Sequence, residues 1–421
     1  MQIYKVGGAV RDKILGIKSH DNDYVVVGST PKQMQELGFK SVGKSFPVFL
    51  HPKTKEEYAL ARIEKKIGDK HTDFEFVFSA DITLKQDLQR RDLTCNAIAY
   101  DEKTGKYIDY FGGIEDIQNK ILRHIDGAHF IEDPLRVLRV CRFAAQLDFD
   151  VCDETLALCK KMVEQGALKH LSTERILEEL KKALQTPKSS KFFILAHQIG
   201  ALKEIMPELD ILYDIPENTL YHPEGTTFLH IMHALDTAPN ASLIAKFSIL
   251  THDLGKALTP PEILPSHKGH ENRAAEAIVM MCRRLKIQKR YQKFALAAAK
   301  LHMLYFNIFR LRAKTIYELI NKLTIMHISH LEAYIDVCRT DFESSAHEDI
   351  IRERIIFEKK AEYLRFAQDT LKNIKTTDMP GFSNMPKDAR FAEKLMLYQL
   401  DILQKKLKKF KKQTLKNINR G

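Results

Sequence analysis

The hydrophobic pattern changes period once along this chain, near Pro134, and that change restricts the fold to a mixed head followed by a helical remainder. Before it, short runs of β-branched and aromatic residues read as strands at 3–6 and 24–27, with further β-like runs at 46–50 and 58–61. Residues 9–15, 31–37 and 93–99 read as short helices between them. After it, apolar residues recur at helical spacing in 135–147, 174–184 and 274–285. Residues 259–265 must form a loop, because Pro260-Pro261 cannot continue a helix. No repeat of fixed period is present. The expected class is α+β, a mixed sheet with an all-α region behind it.

A chain of 421 residues suits roughly two to four domains. With 44% hydrophobic and 29% charged residues it can bury real cores, which excludes global disorder. No apolar run reaches the roughly 18 residues of a membrane span, and MQIYKVGGAVRD lacks a signal-peptide apolar region. A cytoplasmic protein with no membrane association is expected. Its six cysteines have no CxxC spacing, which argues against a cysteine zinc site and suits a reducing compartment. Of the net charge of +11, residues 401–421 carry eight Lys or Arg and one acid, so +7 sits in the last 21 residues and the other 400 are nearly balanced. Leu403, Leu407 and Phe410 recur at helical spacing there, so the tail is either a basic amphipathic helix for a polyanion or a solvated terminus.

Asp21 and Asp23 precede the run 24–27. Residues i and i+2 of a strand share a face, so the two carboxylates can hold a pair of magnesium ions against nucleotide phosphates. Gly7-Gly8 follows the first strand and leads into Arg11, which places backbone amides and a cation beside that pair. Residues 38–45 match the phosphate-loop pattern GxxxxGK[ST] by letter. A helical segment precedes them and a strand-like run follows, the reverse of what that loop requires, so a strand pair with a glycine turn and no nucleotide at Lys44 is expected. Further on, His252-Asp253 ends an apolar run, with His230 and His233 before it and His267, His270, His302 and Asp341 after it. Such a set can bind one or two divalent metals that activate water for phosphoester hydrolysis.

The segments VGGAVRD (6–12), HDND (20–23), RRDLTCNAIAYD (90–101) and EDPLRVLRVCRFAAQL (132–147) resemble, in order, the signature motifs of class II tRNA nucleotidyltransferases, the bacterial CCA-adding enzymes related to poly(A) polymerases. FPVFLHPKTKEEYALAR (46–62) fits the central strands of that head. The resemblance implies that Asp21 and Asp23 hold Mg²⁺, and that Gly8, Arg11 and Arg91 contact the incoming CTP or ATP with Asp92 and Asn96 nearby. It further implies that Asp133 and Arg136 read the base edge, with Arg139 one turn on. A carboxylate accepts from an exocyclic amine while a guanidinium donates to ring acceptors, so C and A can be read without a nucleic-acid template.

THDLGK (251–256) resembles the HD phosphohydrolase superfamily, and an HD domain in this position resembles the multifunctional subgroup. That implies a transition metal such as Ni²⁺ on His230, His252, Asp253 and Asp341, with phosphatase, 2′-nucleotidase and 2′,3′-cyclic phosphodiesterase activities. The expected organisation is a nucleotidyltransferase head (1–140), a helical RNA-binding neck and body (141–225), an HD domain (226–345) and a helical C-terminal region (346–421). The expected function is addition and repair of the tRNA 3′ CCA, with tRNA as macromolecular substrate and no obligate protein partner. The rival readings are poly(A) synthesis, an HD hydrolase with a nucleotide-recognising head, and a noncatalytic RNA-binding protein, the last opposed by the intact Asp21/Asp23 pair.

Overall fold

The computed structural model describes residues 1–18, 22–42, 48–66, 74–220, 222–381 and 389–418. They form two compact units, Met1–Ile205 and Met206–Gly421.

The first unit is built on strands β1 (Gln2–Val6), β2 (Asp23–Val27), β3 (Lys40–Ser41), β4 (Val48–Leu50) and β5 (Glu57–Leu60). A separate hairpin, β6 (Arg62–Lys66) with β7 (Phe74–Phe78), follows, and then β8 (Ile98–Asp101) and β9 (Lys106–Asp109). Seven of these make one mixed sheet in the order β3-β4-β5-β2-β1-β8-β9. β1 and β2 run antiparallel with Val6 opposite Asp23, and β5 lies parallel to β2. Val25, Val26 and Leu60 are buried, and Tyr24 stacks on Tyr58 with ring centroids 4.5 Å apart. Such β-branched and aromatic side chains suit a pleated, buried surface.

Helix Pro31–Glu36 starts on a Thr30–Gln33 capping box with proline at its first position. The antiparallel β3–β4 pair agrees with the expected strand pair, and its turn, including Lys44, lies outside the described residues. The expected helix over 93–99 is corrected: Thr94–Asn96 is a single 3-10 turn and β8 follows it into the sheet. Leu93 to Ala99 are all buried, so the segment shows no strand alternation, and a short run buried on both faces cannot be told from a helix by period. Helix Leu135–Leu147 buries Val137, Leu138, Cys141 and Ala144, and ends where Asp148 turns left-handed at φ 54°.

The second unit is helical apart from one short strand pair, Thr324–Ile325 with Ile328–Ser329. Its core gathers Phe294, Tyr305, Tyr334, Phe357 and Leu364. The two tyrosines satisfy their buried hydroxyls on the carbonyls of Phe357 (2.9 Å) and Leu301 (2.8 Å). Helix Ala389–Ile418 carries the basic tail; Leu403 and Leu407 are buried in this core and Phe410 stacks on Phe366 at 4.5 Å. The tail is thus a docked amphipathic helix through residue 418. Among the described residues no helix is long and apolar enough to cross a membrane. All six cysteines are free.

Candidate functional site

The central strand pair sets the first site. Val6 faces Asp23 across β1 and β2, so the turn at Gly7 sits directly beside that carboxylate. Gly7 has φ +73°, and a Cβ there would lie 3.1 Å from Arg91 Nη1 and 3.8 Å from Asp23 Oδ2. Glycine is required both by the backbone and by the close approach. The following helix, Gly8–Ile14, presents Arg11, which is buried.

A chain of polar contacts then runs across the site. Arg11 Nη1 donates to Asn96 Oδ1 at 2.7 Å, Asn96 Nδ2 donates to Asp92 Oδ1 at 3.1 Å, and Asp92 Oδ2 accepts from Arg139 Nε at 2.7 Å. Burial alone would raise the Asp92 pKa, but Arg139 and the Asn96 hydrogen bond outweigh it and bring it down to about 2. Arg91 is held on Asp87 and the Asn96 carbonyl, while its Nε is buried with no hydrogen-bond partner. A donor left in that state invites an acceptor from a ligand.

Helix Leu135–Leu147 closes the site with three arginines at three-residue spacing, Arg136, Arg139 and Arg142. Arg136 donates through Nη1 to the His129 carbonyl and through Nη2 to the Arg90 carbonyl, both at 2.7 Å. Asp133 accepts from Arg175 Nη2 at 2.8 Å and 3.1 Å on its two oxygens. A cavity of about 810 Å³ is lined by Asp23, Gly8, Arg11, Arg91, Asp133, Arg136 and Arg139, which are all the expected head residues except Asp21. Asp21 lies outside the described residues. The lining holds nine Lys or Arg against five Asp or Glu, a surplus that suits a polyphosphate.

Four lining or supporting residues escape the sequence reading: Arg142, Arg175, Glu179 and Lys182. Arg142 Nε donates to Glu179 Oε2 at 2.5 Å, a buried pair that fixes helix Thr173–Leu184 against the arginine helix. The available signal is the placing of Arg175, Glu179 and Lys182 at i, i+4 and i+7 on one helical face.

The second site lies wholly in the helical unit. His230 comes from helix Thr227–Thr237, His252 caps Leu243–Thr251, His270 opens His270–Arg284, His302 lies in Lys289–Phe306 and Asp341 in Leu331–Glu343. His230, His252, Asp253, His270 and His302 are all buried. His230 Nε2 is 3.2 Å from Asp341 Oδ1, and its Nδ1 is 2.8 Å from Glu224 Oε1. Burial pulls the His230 pKa down, yet the hydrogen bonds to Asp341 and Glu224 prevail and raise it to about 9. Asp253 Oδ2 lies 3.4 Å from His252 Nε2 and 2.9 Å from Lys256 Nζ. His252 Nδ1 donates to the Ile249 carbonyl at 2.8 Å, which leaves Nε2 as an acceptor; it is buried with no hydrogen-bond partner.

The expected set His230, His252, Asp253 and Asp341 is therefore assembled, and His270 and His302 join it. His233 is exposed, and His267 is spent on Thr259 Oγ1 (2.8 Å) and the Pro216 carbonyl (2.9 Å). His222 and Glu224, in the loop before helix Thr227–Thr237, converge on His230 and are absent from the expected set; the spacing His222-x-Glu224 six residues ahead of His230 is the signal. Gly255 lets the HD turn press against helix His270–Arg284: a Cβ there would fall 2.1 Å from the His270 carbonyl oxygen. A cavity of about 960 Å³ reaches Asp253, His270, His302 and Asp341.

Two family models match the first unit: "Poly A polymerase head domain" over residues 3–123 and "Probable RNA and SrmB- binding site of polymerase A" over 148–212. The Multifunctional CCA protein of Acinetobacter baumannii is 42% identical over 413 residues, covering 96% of this chain and 97% of its own length. The chain belongs to the multifunctional CCA protein family. The family member from Mannheimia succiniciproducens is 47% identical over 365 residues, 82% of this chain and 86% of that one. Among solved structures, a CCA-adding enzyme in apo form shares the fold at TM-score 0.62 and 22% identity, covering 96% of this chain and 88% of that one. The Thermotoga maritima CCA-adding enzyme complexed with tRNA does so at TM-score 0.60 and 20% identity, covering 99% and 91%.

Proposed function

We propose that this chain adds and repairs the CCA end of tRNA using CTP and ATP, and that its head cavity performs the transfer. The observation that carries the reading is the convergence of Asp23, Arg11, Arg91, Asp133, Arg136 and Arg139 on one cationic cavity at the head of strands β1 and β2. The tRNA 3′-hydroxyl attacks the α-phosphate of the bound nucleotide and pyrophosphate leaves. Hard carboxylate oxygens suit Mg²⁺, so Asp21 and Asp23 are the residues that would hold it, and bound there it supplies charge neutralisation at the attacking and leaving oxygens. Arg91, with its unpartnered Nε, and Arg11, fixed by Asn96, hold the phosphates. Gly7 and Gly8 leave room for the nucleotide to approach the backbone. Arg136 has two of its five N–H donors on carbonyls, which fixes the guanidinium plane and leaves at most three for a base edge. Asp133 reads the exocyclic amine after Arg175 lets go, an exchange of low cost because that pair is partly exposed.

The HD cluster serves a separate phosphoester hydrolysis. Imidazole nitrogens with a carboxylate suit a transition metal such as Ni²⁺, held by His230, His252, Asp253 and Asp341. The domain reading that accompanies this is a head at 1–140, a neck and body at 141–225, the HD domain at 226–345 and a C-terminal region at 346–421, in a cytosolic protein with free thiols. The test is sequencing of products from a tRNA transcript that lacks its CCA, incubated with CTP and ATP. Two C residues, one A and then arrest support the proposal. A run of A without C supports poly(A) synthesis instead, and no extension at all refutes transfer.

A further inference from the structure

We propose that the helical unit binds a second divalent cation, held by Asp253, His270 and His302, beside the one assigned to His230, His252, Asp253 and Asp341. The inference rests on the HD reading of that cluster and deepens it.

Three observations lead there. First, the ring orientations are fixed from behind. His270 Nδ1 lies 3.0 Å from the His267 carbonyl oxygen and His302 Nδ1 lies 2.8 Å from that of Ala299; a carbonyl only accepts, so each Nδ1 carries the proton and each Nε2 of the neutral ring presents a lone pair. Second, those two Nε2 atoms face one another at 3.1 Å. Two buried lone pairs at that separation repel unless a cation lies between them or one ring takes a further proton. Third, Asp253 is common to two groups of three potential ligands, His230–His252–Asp253 and Asp253–His270–His302, in each of which all donor atoms lie within 4.8 Å of one another. Its two oxygens are divided between them. Oδ2 faces His252 Nε2 at 3.4 Å, whereas Oδ1 faces His270 Nε2 at 3.1 Å and His302 Nε2 at 3.9 Å. That is the disposition of a bridging carboxylate between two ions. Lys256 Nζ pins Oδ2 at 2.9 Å while bound to Glu217 at 2.7 Å, so the bridge cannot rotate freely.

Two nitrogens and one oxygen from the protein leave coordination positions open to water or a phosphate oxygen, and the cavity of about 960 Å³ supplies access. The donor set selects Mn²⁺, Co²⁺, Ni²⁺ or Zn²⁺ over Mg²⁺.

The test strips full-length chain of metal, loads it with Co²⁺, and counts ions per chain by elemental analysis after gel filtration. Any metal in the head is the same in every variant compared. Relative to the unsubstituted chain, His302→Gln and His270→Gln should each lose one equivalent, His230→Gln should lose one, and Asp253→Asn should lose two. Full occupancy in His302→Gln and His270→Gln overturns the second site and leaves the HD reading standing. Loss of all the metal from either also overturns it, because a single composite site then exists. Unchanged content in every variant, Asp253→Asn included, overturns the HD reading itself. Electron paramagnetic resonance of the unsubstituted chain loaded with Mn²⁺ keeps the test independent of variant folding: an exchange-coupled pair supports the proposal, and isolated-ion spectra alone refute it.

Discussion

Asp92→Asn should loosen the head cavity by an amount that the structure sets. Asp92 is buried and accepts from Leu93 N (2.9 Å), Asn96 Nδ2 (3.1 Å) and Arg139 Nε (2.7 Å), so its charge holds Arg139 directly and Arg11 through Asn96. Its pKa falls from the ordinary 3.8 to about 2, and at 1.36 kcal/mol per unit the charged carboxylate contributes about 2 kcal/mol. The amide stands for the uncharged form and loses that amount. Because the folded value lies below the unfolded one, the contribution is complete above 3.8 and disappears as the pH falls toward about 2. Hydrogen exchange with mass spectrometry on full-length chain reads it locally, which avoids treating two units as one unfolding transition. In Asp92→Asn, peptides covering 88–100 and 135–147 should exchange roughly thirtyfold faster at pH 7. The difference from the unsubstituted protein should narrow below about pH 4. Equal exchange in the two proteins at pH 7 would refute the claim that this carboxylate holds the arginines.

Three further perturbations follow from the same geometry. Gly255→Ala places a methyl group 2.1 Å from the His270 carbonyl oxygen and should cost about 1–3 kcal/mol, with metal retention falling alongside; an unchanged melting temperature would show that the HD turn has slack. Arg175→Ala frees Asp133 from a partly exposed ion pair, so stability should change by less than about 1 kcal/mol while discrimination between CTP and GTP shifts; unaltered discrimination removes Asp133 from base reading. Lys406, Lys408, Lys409 and Lys412 are exposed on the helix whose Leu403 and Leu407 are buried. Changing all four to Gln should therefore spare the fold and flatten the salt dependence of tRNA affinity by about 0.7–0.9 for each phosphate no longer neutralised, and an unchanged slope takes this helix out of RNA binding.

The motif-bearing parts of the fold can be read from the chain because each has a local cause. Thr30 and Gln33 with Pro31 fix a helix start, the valines of β2 fix a central strand, and the apolar stripe of Leu135–Leu147 fixes a helix over the bounds its periodicity gives. The segment 93–99 misleads because tertiary burial on both sides erases its alternation. In the sites, the residues named by a motif are legible, whereas those that hold them are not. Gly7 rather than Gly8 carries the strained conformation, a distinction that depends on where Arg91 lands in space. Arg175 and Glu217 act on residues 42 and 39 positions away in sequence, a separation that no local pattern encodes. The same holds for His270 and His302, which meet across 32 residues. Choosing them over His233 and His267 requires the packing of helices, since all four are histidines in helical sequence near the HD pair. The basic tail shows the complementary case: its spacing is legible, but burial of Leu403 and Leu407 makes a truncation at 401 a test of stability as well as of RNA binding.

The central claim is that nucleotidyl transfer occurs in the head cavity and hydrolysis in the HD cluster. Its most direct test measures both on one preparation of Asp23→Asn: labelled CTP and ATP incorporation into a tRNA transcript lacking CCA, and Ni²⁺-dependent hydrolysis of bis-p-nitrophenyl phosphate. The account predicts that incorporation falls at least roughly a hundredfold, equivalent to about 3 kcal/mol in the barrier, while hydrolysis keeps its rate. Incorporation at the unsubstituted rate in Asp23→Asn would contradict it.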